Sequence, residues 1–292
     1  MRRKKGKRPP SDLPHCVIDV QKRTITLCTL DTFTPRMVPP PVQPRSIIFS
    51  VYKQPGANVP RLCPRKGKAN ECPGKQYANT MKILYFSDVH GKFQALPSLP
   101  KADMVIIGGD FTQFGSNKDF LEAIRTVEEA FPEFYAVAGN LDPADSNNIL
   151  RDTGHLLSTG DNFIHGLHIL GISGSHTCPR PTPFEWKDDD MENLLALVPG
   201  FPIDILVTHA PPFGSGADVI PNGMHVGSRA IASFARNRRP RLHLCGHIHE
   251  AAGIFDEEGI PLVNCGDFAT TGNYAVIEWD AALAPQITLF QK

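Results

Sequence analysis

No segment of this 292-residue sequence approaches the roughly 18 consecutive apolar residues that a membrane-spanning helix needs. Nor does an apolar run follow the basic stretch Arg2-Arg3-Lys4-Lys5-Gly6-Lys7-Arg8, so no secretory signal is expected. Aromatic residues are missing from that stretch too, which favours a solvated basic tail over a surface gripping nucleic acid or anionic lipid. Cysteine is sparse: Cys16, Cys28, Cys63 and Cys72 lie early, Cys178, Cys245 and Cys265 late. An odd number at irregular spacing, without an export signal, points to reduced thiols and a cytoplasmic protein. Cys63 and Cys72 stand too far apart for a zinc knuckle. Net charge is absent as well, with 30 basic against 30 acidic residues.

That neutrality conceals a division. Residues 1–80 carry 16 Lys/Arg and 4 Asp/Glu, whereas residues 81–292 carry 14 and 26. The first segment also holds 12 of the 27 prolines, including Pro39-Pro40-Pro41. A basic, proline-rich segment buries too little apolar surface to offset the entropy of ordering it, so residues 1–80 are expected to be disordered or loosely packed. Residues 17–20 and 47–52 are its short strand candidates. Met81 stands immediately before the first strongly apolar strand, where an initiator would sit. A complete domain is expected over residues 81–292, with residues 1–80 dispensable to it.

Within residues 81–292, Ile83-Leu84-Tyr85-Phe86 reads as a buried strand, and the chain then turns at Gly91. Residues 104–107 form a second strand ending in Gly108-Gly109-Asp110. A helix follows with Asn117 as N-cap and Phe120, Leu121, Ile124 and Val127 on its buried face. Residues 134–137 form a third strand and run into Gly139-Asn140-Leu141-Asp142. Strand–helix–strand alternation with short connections implies α/β layering. Residues 162–165 and 167–171 flank Gly166 as a tight hairpin, and the Gly-, Ser- and Pro-rich loop 173–184 is long enough to form a rim. A helix is expected over 185–197 with Trp186, Leu194 and Leu197 inward. Residues 203–207 form a strand delivering Thr208-His209, 226–238 a helix, and 241–245 a strand delivering Gly246-His247-Ile248-His249. The remainder reads as antiparallel β over 253–255, 260–264, 273–279 and 286–290.

Five of these apolar runs end in polar side chains of one chemical kind: Asp88 and His90, Asp110, Asn140, His209, and His247 with His249. Sites in α/β sheets form outside the carboxyl ends of the strands, where all seven groups fall. Residues two apart in an extended segment point the same way, so Asp88 and His90 converge. Seven oxygen and nitrogen donors are too many for one tetrahedral zinc and suit two metals sharing a carboxylate. With no cysteine among them, Mn, Fe, Zn, Ni or a similar divalent ion fits better than a thiolate site. Taken singly, a histidine after a strand is a polar cap, Asp110 caps a helix and Asn140 supports a turn. Five coincidences at strand ends are not explained that way.

In this order Asp-x-His, Gly-Gly-Asp, Gly-Asn, Thr-His-Ala-Pro-Pro and Gly-His-x-His resemble the calcineurin-like metallophosphoesterase superfamily, over residues 81–292 and none of 1–80. Around 207–213, 225–228 and 245–250 the chain is similar to the Icc-related predicted phosphoesterases. The resemblance implies a four-layer α/β/β/α sandwich of two mixed sheets with a binuclear centre. It implies one metal on Asp88, His90, Asp110 and His249 and the other on Asp110, Asn140, His209 and His247, with Asp110 shared. It further implies metal-activated hydroxide attacking a phosphate ester, with Asp110, Asn140 and His209 in the catalytic set. The substrate would be a phosphate-ester small molecule or nucleotide, a diester rather than a monoester.

One position departs from the superfamily pattern. Many members carry His after Gly-Asn, where an imidazole can protonate the leaving oxygen; here the residue is Leu141, which cannot. The enzyme is therefore expected to be poor at expelling basic alkoxides. His225, before Gly227-Ser228, and His176, in the long loop, are the candidates to lie near bound substrate, with Phe213, Asp218 and Arg229 at the rim. Cys245 and Cys265 fall in strands as core thiols. The rival reading is a non-catalytic metal-binding scaffold on the same fold, against which all seven ligand positions are filled.

Overall fold

The computed structural model describes residues 80–291 and two short strands nearer the start of the chain. The chain divides into two compact units, Met1–Pro73 and Gly74–Lys292. In the first, β1 (His15–Asp19) pairs antiparallel with β2 (Thr24–Cys28). β1 overlaps the strand expected over residues 17–20, and residues 47–52 lie outside the described residues.

In the second unit β3 (Met81–Phe86), β4 (Met104–Ile107), helix α1 (Asn117–Ala130), β5 (Phe134–Ala136) and helix α2 (Ser146–Asp152) come first. The hairpin of β6 (Asn162–Ile164) and β7 (Leu167–Ile172) follows, then the two-residue strands β8 (Ser175–His176) and β9 (Glu185–Trp186) and helix α3 (Asp188–Ala196). β10 (Ile205–Thr208), α4 (Arg229–Arg238) and β11 (Leu242–Cys245) lead to β12 (Gly253–Glu257) and β13 (Ile260–Asn264). A short helix, α5 (Phe268–Thr271), precedes β14 (Tyr274–Trp279) and β15 (Gln286–Phe290).

Two mixed sheets result. One runs β15-β14-β3-β4-β5 and the other β12-β13-β11-β10-β7-β6. β3, β4 and β5 are mutually parallel, as are β7, β10, β11 and β13, while antiparallel strands flank both sets. Strand alternation sorts the side chains into three apolar layers. Ile83, Tyr85, Met104 and Ile106 of the first sheet meet Ile169, Ile205, Val207, Leu242 and Leu244 of the second. The alternate residues Leu84, Phe86, Val105 and Ile107 face outward to Phe120, Ile124 and Val127 of α1, Leu150 of α2 and Phe268 of α5. Leu170, Ile172 and Leu206 pack on Met191 and Leu195 of α3 and on Ile231 and Phe234 of α4. Helices cover both outer faces, giving the expected four layers. Each of these buried side chains contributes about 1.5–3 kcal/mol relative to exposure.

Three helix expectations need correction. Ser116, not Asn117, caps α1, because its side chain accepts from the Asp119 N–H while Asp119 accepts from the Ser116 N–H. α3 begins at Asp188 rather than 185, since Glu185 and Trp186 pair with β8 instead. That start turns Met191 and Leu195 inward, four residues apart, and leaves Leu197 80% exposed. α4 begins at Arg229, capped by the Ser228 side chain, because residues ahead of it are bonded to the stretch after His209. Cys245, at the end of β11, and Cys265, just past β13, are buried thiols, as expected. Among the described residues no helix is long and apolar enough to cross a membrane.

Candidate metal centre

The loops leaving β3 and β4 stay hydrogen-bonded after the strands end. Asp88 N–H donates to Gly109 O at 3.0 Å, His90 N–H to Asp110 O at 2.9 Å, and Gly91 N–H to Phe111 O at 2.8 Å. On the other sheet Gly246 N–H donates to His209 O at 2.9 Å, so the ends of β10 and β11 are joined too. Asp88, His90, Asp110 and His247 all adopt positive φ, at 60°, 47°, 52° and 69°. Such conformations cost free energy outside glycine and persist where surrounding structure enforces them, commonly at functional sites. Two glycines leave room for the carboxylates: a Cβ on Gly139 would run into Asp110, and one on Gly246 into Asp88 and Ser87.

Donor atoms of Asp88, His90 and His249 gather in one group and those of Asp88, Asp110 and His209 in a second, each within 4.8 Å. In the first, His249 Nε2 is 3.2 Å from Asp88 Oδ1 and 3.4 Å from His90 Nε2. In the second, His209 Nε2 lies 2.9 Å from Asn140 Oδ1 and 3.6 Å from Asp110 Oδ2. His209 Nδ1–H donates to Gly108 O at 2.8 Å, so in the neutral ring Nε2 is a lone pair aimed at two further acceptors. His247 joins through its ring, 5.1 Å from that of His209, and its backbone N–H reaches both Asp88 oxygens. The structure thus places all seven sequence candidates around one locus, with Asp88 rather than Asp110 common to the two tightest groups.

Charge in this locus is unbalanced. Burial, together with Asp142 and Asp88, pushes the Asp110 carboxyl above the usual carboxylate range. At Asp88 burial acts upward, but the His249 hydrogen bond and histidine charges outweigh it and hold the group low. Burial depresses His209 and His90, and takes His247 down to about 3, so these rings are neutral and can act as ligands. His249 is raised: burial acts downward, but Asp88 overcomes it. Among the described residues no Lys or Arg forms an ion pair with Asp88, Asp110 or Asp142. Buried carboxylates without a Lys or Arg partner, converging with imidazole nitrogens and no thiolate, fit divalent cations.

Asp142, outside the ligand set, orients the loops around it. Fully buried, it accepts from the N–H groups of Phe111 (3.2 Å), Thr112 (2.8 Å) and Gly139 (2.9 Å) and from the Thr112 hydroxyl (2.9 Å). It thereby ties the loop bearing Asp110 to the loop bearing Asn140. Burial raises its carboxyl to about 6 against these four bonds. Asp110 Oδ1 accepts from Leu141 N–H at 2.9 Å, so position 141 serves through its backbone. The signal that could have exposed Asp142 is its place three residues after Gly139, within reach of that residue's N–H.

The rim comes from three loops. Gly174 N–H donates to Ala138 O, and Phe184 N–H to Asn140 O, fixing loop 173–184 against the Asn140 turn. Its His176 lies against the Val226 backbone and close enough to His247 to act on that ring's charge. His225 Nδ1 bonds Asp218 Oδ1 at 2.6 Å. Asp218 is fully buried and its second oxygen accepts from Gly214 N–H (3.0 Å) and Gly227 N–H (2.9 Å). Arg229 places its guanidinium 3.7 Å over the Phe213 ring.

A family model for calcineurin-like phosphoesterases matches residues 81–251. An uncharacterized protein of Methanocaldococcus jannaschii is 31% identical over 181 residues, spanning 60% of this chain and 83% of its own. Metallophosphoesterase domain-containing protein 1 of Homo sapiens is 39% identical over 231 residues, spanning 66% of this chain and 67% of its own. A solved structure from Thermus thermophilus superposes with a TM-score of 0.57 at 18% identity, over 73% of this chain and 99% of that one. This last likeness concerns the fold.

Proposed function

Since the chain belongs to the calcineurin-like phosphoesterase family, we propose that it hydrolyses phosphate esters, diesters in preference to monoesters, with two divalent metal ions. The observation that carries this reading is the convergence of seven oxygen and nitrogen donors, free of thiolate, beyond the ends of five strands drawn from both sheets. Asp88, His90, Asp110 and His249 would hold one ion and Asp110, Asn140, His209 and His247 the other. The ions, when bound, would lower the pKa of a water nucleophile and neutralise phosphoryl oxygens.

The protein's own groups supply orientation and exclusion. Gly108 O fixes the His209 ring, so Nε2 faces the locus. Leu141 N–H holds one oxygen of Asp110 and leaves the other free to be shared. Asp142 keeps the Asp110 and Asn140 loops in register, and loop 173–184 walls one side. A small phosphate ester or nucleotide is the substrate class this locus suits. The test is turnover of p-nitrophenyl phosphate, bis(p-nitrophenyl) phosphate, cyclic nucleotides and dinucleotides with Mn, Ni, Mg and Zn. Diester turnover with about two ions per chain is expected. Two tightly held ions with no turnover of any ester would instead favour a metal-binding scaffold.

A further inference from the structure

In place of the imidazole that Leu141 cannot provide, we propose that His225, oriented by the buried Asp218, donates the proton to the departing oxygen of the ester. This rests on the hydrolase reading above. The geometry points to His225 by three routes.

First, the segment bearing it is locked to the loop that leaves the ligand His209. Ser228 N–H donates to Pro211 O at 2.9 Å and Phe213 N–H to Ser228 O at 3.0 Å. A Cβ on Gly227 would strike the backbone of 211–213, so glycine permits the close approach. Second, the residue after it, Val226, has its backbone bonded by His176, whose charge acts on the ligand candidate His247. Both routes tie the segment bearing His225 to the loop leaving His209 and, through His176, to the surroundings of His247, and its ring lies 5.9 Å from that of Phe213.

Third, the ring is oriented in the manner of an acid–base histidine. Asp218 Oδ1 accepts from Nδ1–H at 2.6 Å, leaving Nε2 as the nitrogen free to exchange protons, on a side chain 40% exposed beside a carboxylate that is fully buried. Burying a carboxylate is costly, and this one is satisfied by two backbone N–H groups plus the imidazole. A carboxylate on Nδ1 that fixes the ring while Nε2 exchanges protons is the arrangement of general acid–base pairs. His176 fits the role less well: its Nδ1 is buried without a hydrogen-bond partner and no carboxylate is bonded to the ring.

The step balances. Water oxygen bonds to phosphorus and releases a proton to solvent. As the bond from phosphorus to the leaving oxygen breaks, its electron pair stays on that oxygen, which takes the Nε2 proton of the doubly protonated ring. Neutral His225 then regains a proton from solvent.

The experiment compares full-length, metal-loaded wild type with His225→Gln, Asp218→Asn and His176→Gln. Gln retains an N–H donor for Asp218, which protects folding. Each is tested on bis(p-nitrophenyl) phosphate and on a dialkyl phosphodiester, which can expel only an alkoxide, with metal content and inorganic phosphate affinity measured alongside. His225→Gln should keep its ions and bind phosphate about tenfold more weakly, the loss of one charge-assisted hydrogen bond. Its kcat for alkoxide release should fall by about 10²–10⁴, against less than about tenfold for p-nitrophenolate. Asp218→Asn should show the same split at smaller size, as a positioning residue. Equal losses on both leaving groups, no loss on either, or a split that follows His176→Gln would overturn the proposal. If wild type with bound metals turns over neither ester, the hydrolase reading fails first and takes this one with it.

Discussion

Asp110 carries a buried carboxylate raised by burial and by two neighbouring carboxylates, so removing it should disturb both metal positions at once. Asp110→Ala is expected to purify with neither ion, whereas Asn140→Ala chiefly weakens one. Asp88 stands in both donor groups, which makes Asp88→Ala the needed comparison. If elemental analysis finds an ion retained in Asp110→Ala but none in Asp88→Ala, the shared ligand is Asp88. A different residue governs acid stability. His243 is fully buried, its Nε2 is 2.9 Å from Thr208 Oγ1, and burial lowers its pKa to about 3. The unfolded chain takes up that proton near pH 6.5, but the folded chain does not until about pH 3. Its contribution to stability is thus intact above pH 6.5 and declines by about 1.4 kcal/mol per unit as pH falls toward 3. His243→Gln should flatten the fall in unfolding free energy between pH 6.5 and 4.5 by about that slope. Parallel denaturation curves for the two proteins would show that the ring is protonated in the fold.

At the scale of elements, α3 offers the cleanest check on register. Met191 and Leu195 are buried and Leu197 is exposed, so Leu195→Ala should cost about 2–5 kcal/mol and Leu197→Ala less than about 0.5. Urea unfolding decides it, and the reverse order would restore the helix start at residue 185. The strands were legible because four- to six-residue apolar runs between turn residues admit little else; the β6–β7 hairpin was legible from Gly166 between two such runs, and His165 and Gly166 both take positive φ there. Helix starts were less so. Residues 185–186 and 226–228 read as helix by local preference, yet tertiary hydrogen bonds to β8 and to 211–213 claim their backbones. Each donor in the candidate site could be read because it ends an apolar run. What holds the loops could not, since a buried carboxylate satisfied by backbone N–H groups has no sequence period. Asp142→Ala would strand three buried N–H groups, at about 1–3 kcal/mol each. It should lower the unfolding temperature by several degrees and weaken metal binding about 10- to 100-fold. Unchanged metal affinity would mean that the Asp110 and Asn140 loops keep their register unaided.

For the whole molecule, the three large apolar layers, among the described residues, are built from Met81 onward, and the family match also starts at residue 81. The charge division runs the same way, with the acidic excess confined to residues 81–292. Burial of those layers is the dominant favourable term in folding, so the free energy that orders the sandwich should be contained within residues 81–292. We therefore expect a chain beginning at Met81 to unfold at the same temperature as the full chain, to bind the same number of metal ions and to turn over esters at the same rate. Residues 1–80 would then contribute mainly long-range charge. Sixteen basic residues attract polyanions through counterion release, an effect that weakens steeply with salt. A nucleic acid should accordingly bind the full chain weakly at low salt and the shortened chain not at all, with ester turnover indifferent to it. Calorimetric scans, metal content and turnover of the two chains test the first part, and salt-dependent binding of a random-sequence oligonucleotide tests the second. A fall of more than a few degrees on shortening would show that residues 1–80 stabilise the sandwich, and a loss of turnover alone would assign them a part in the site.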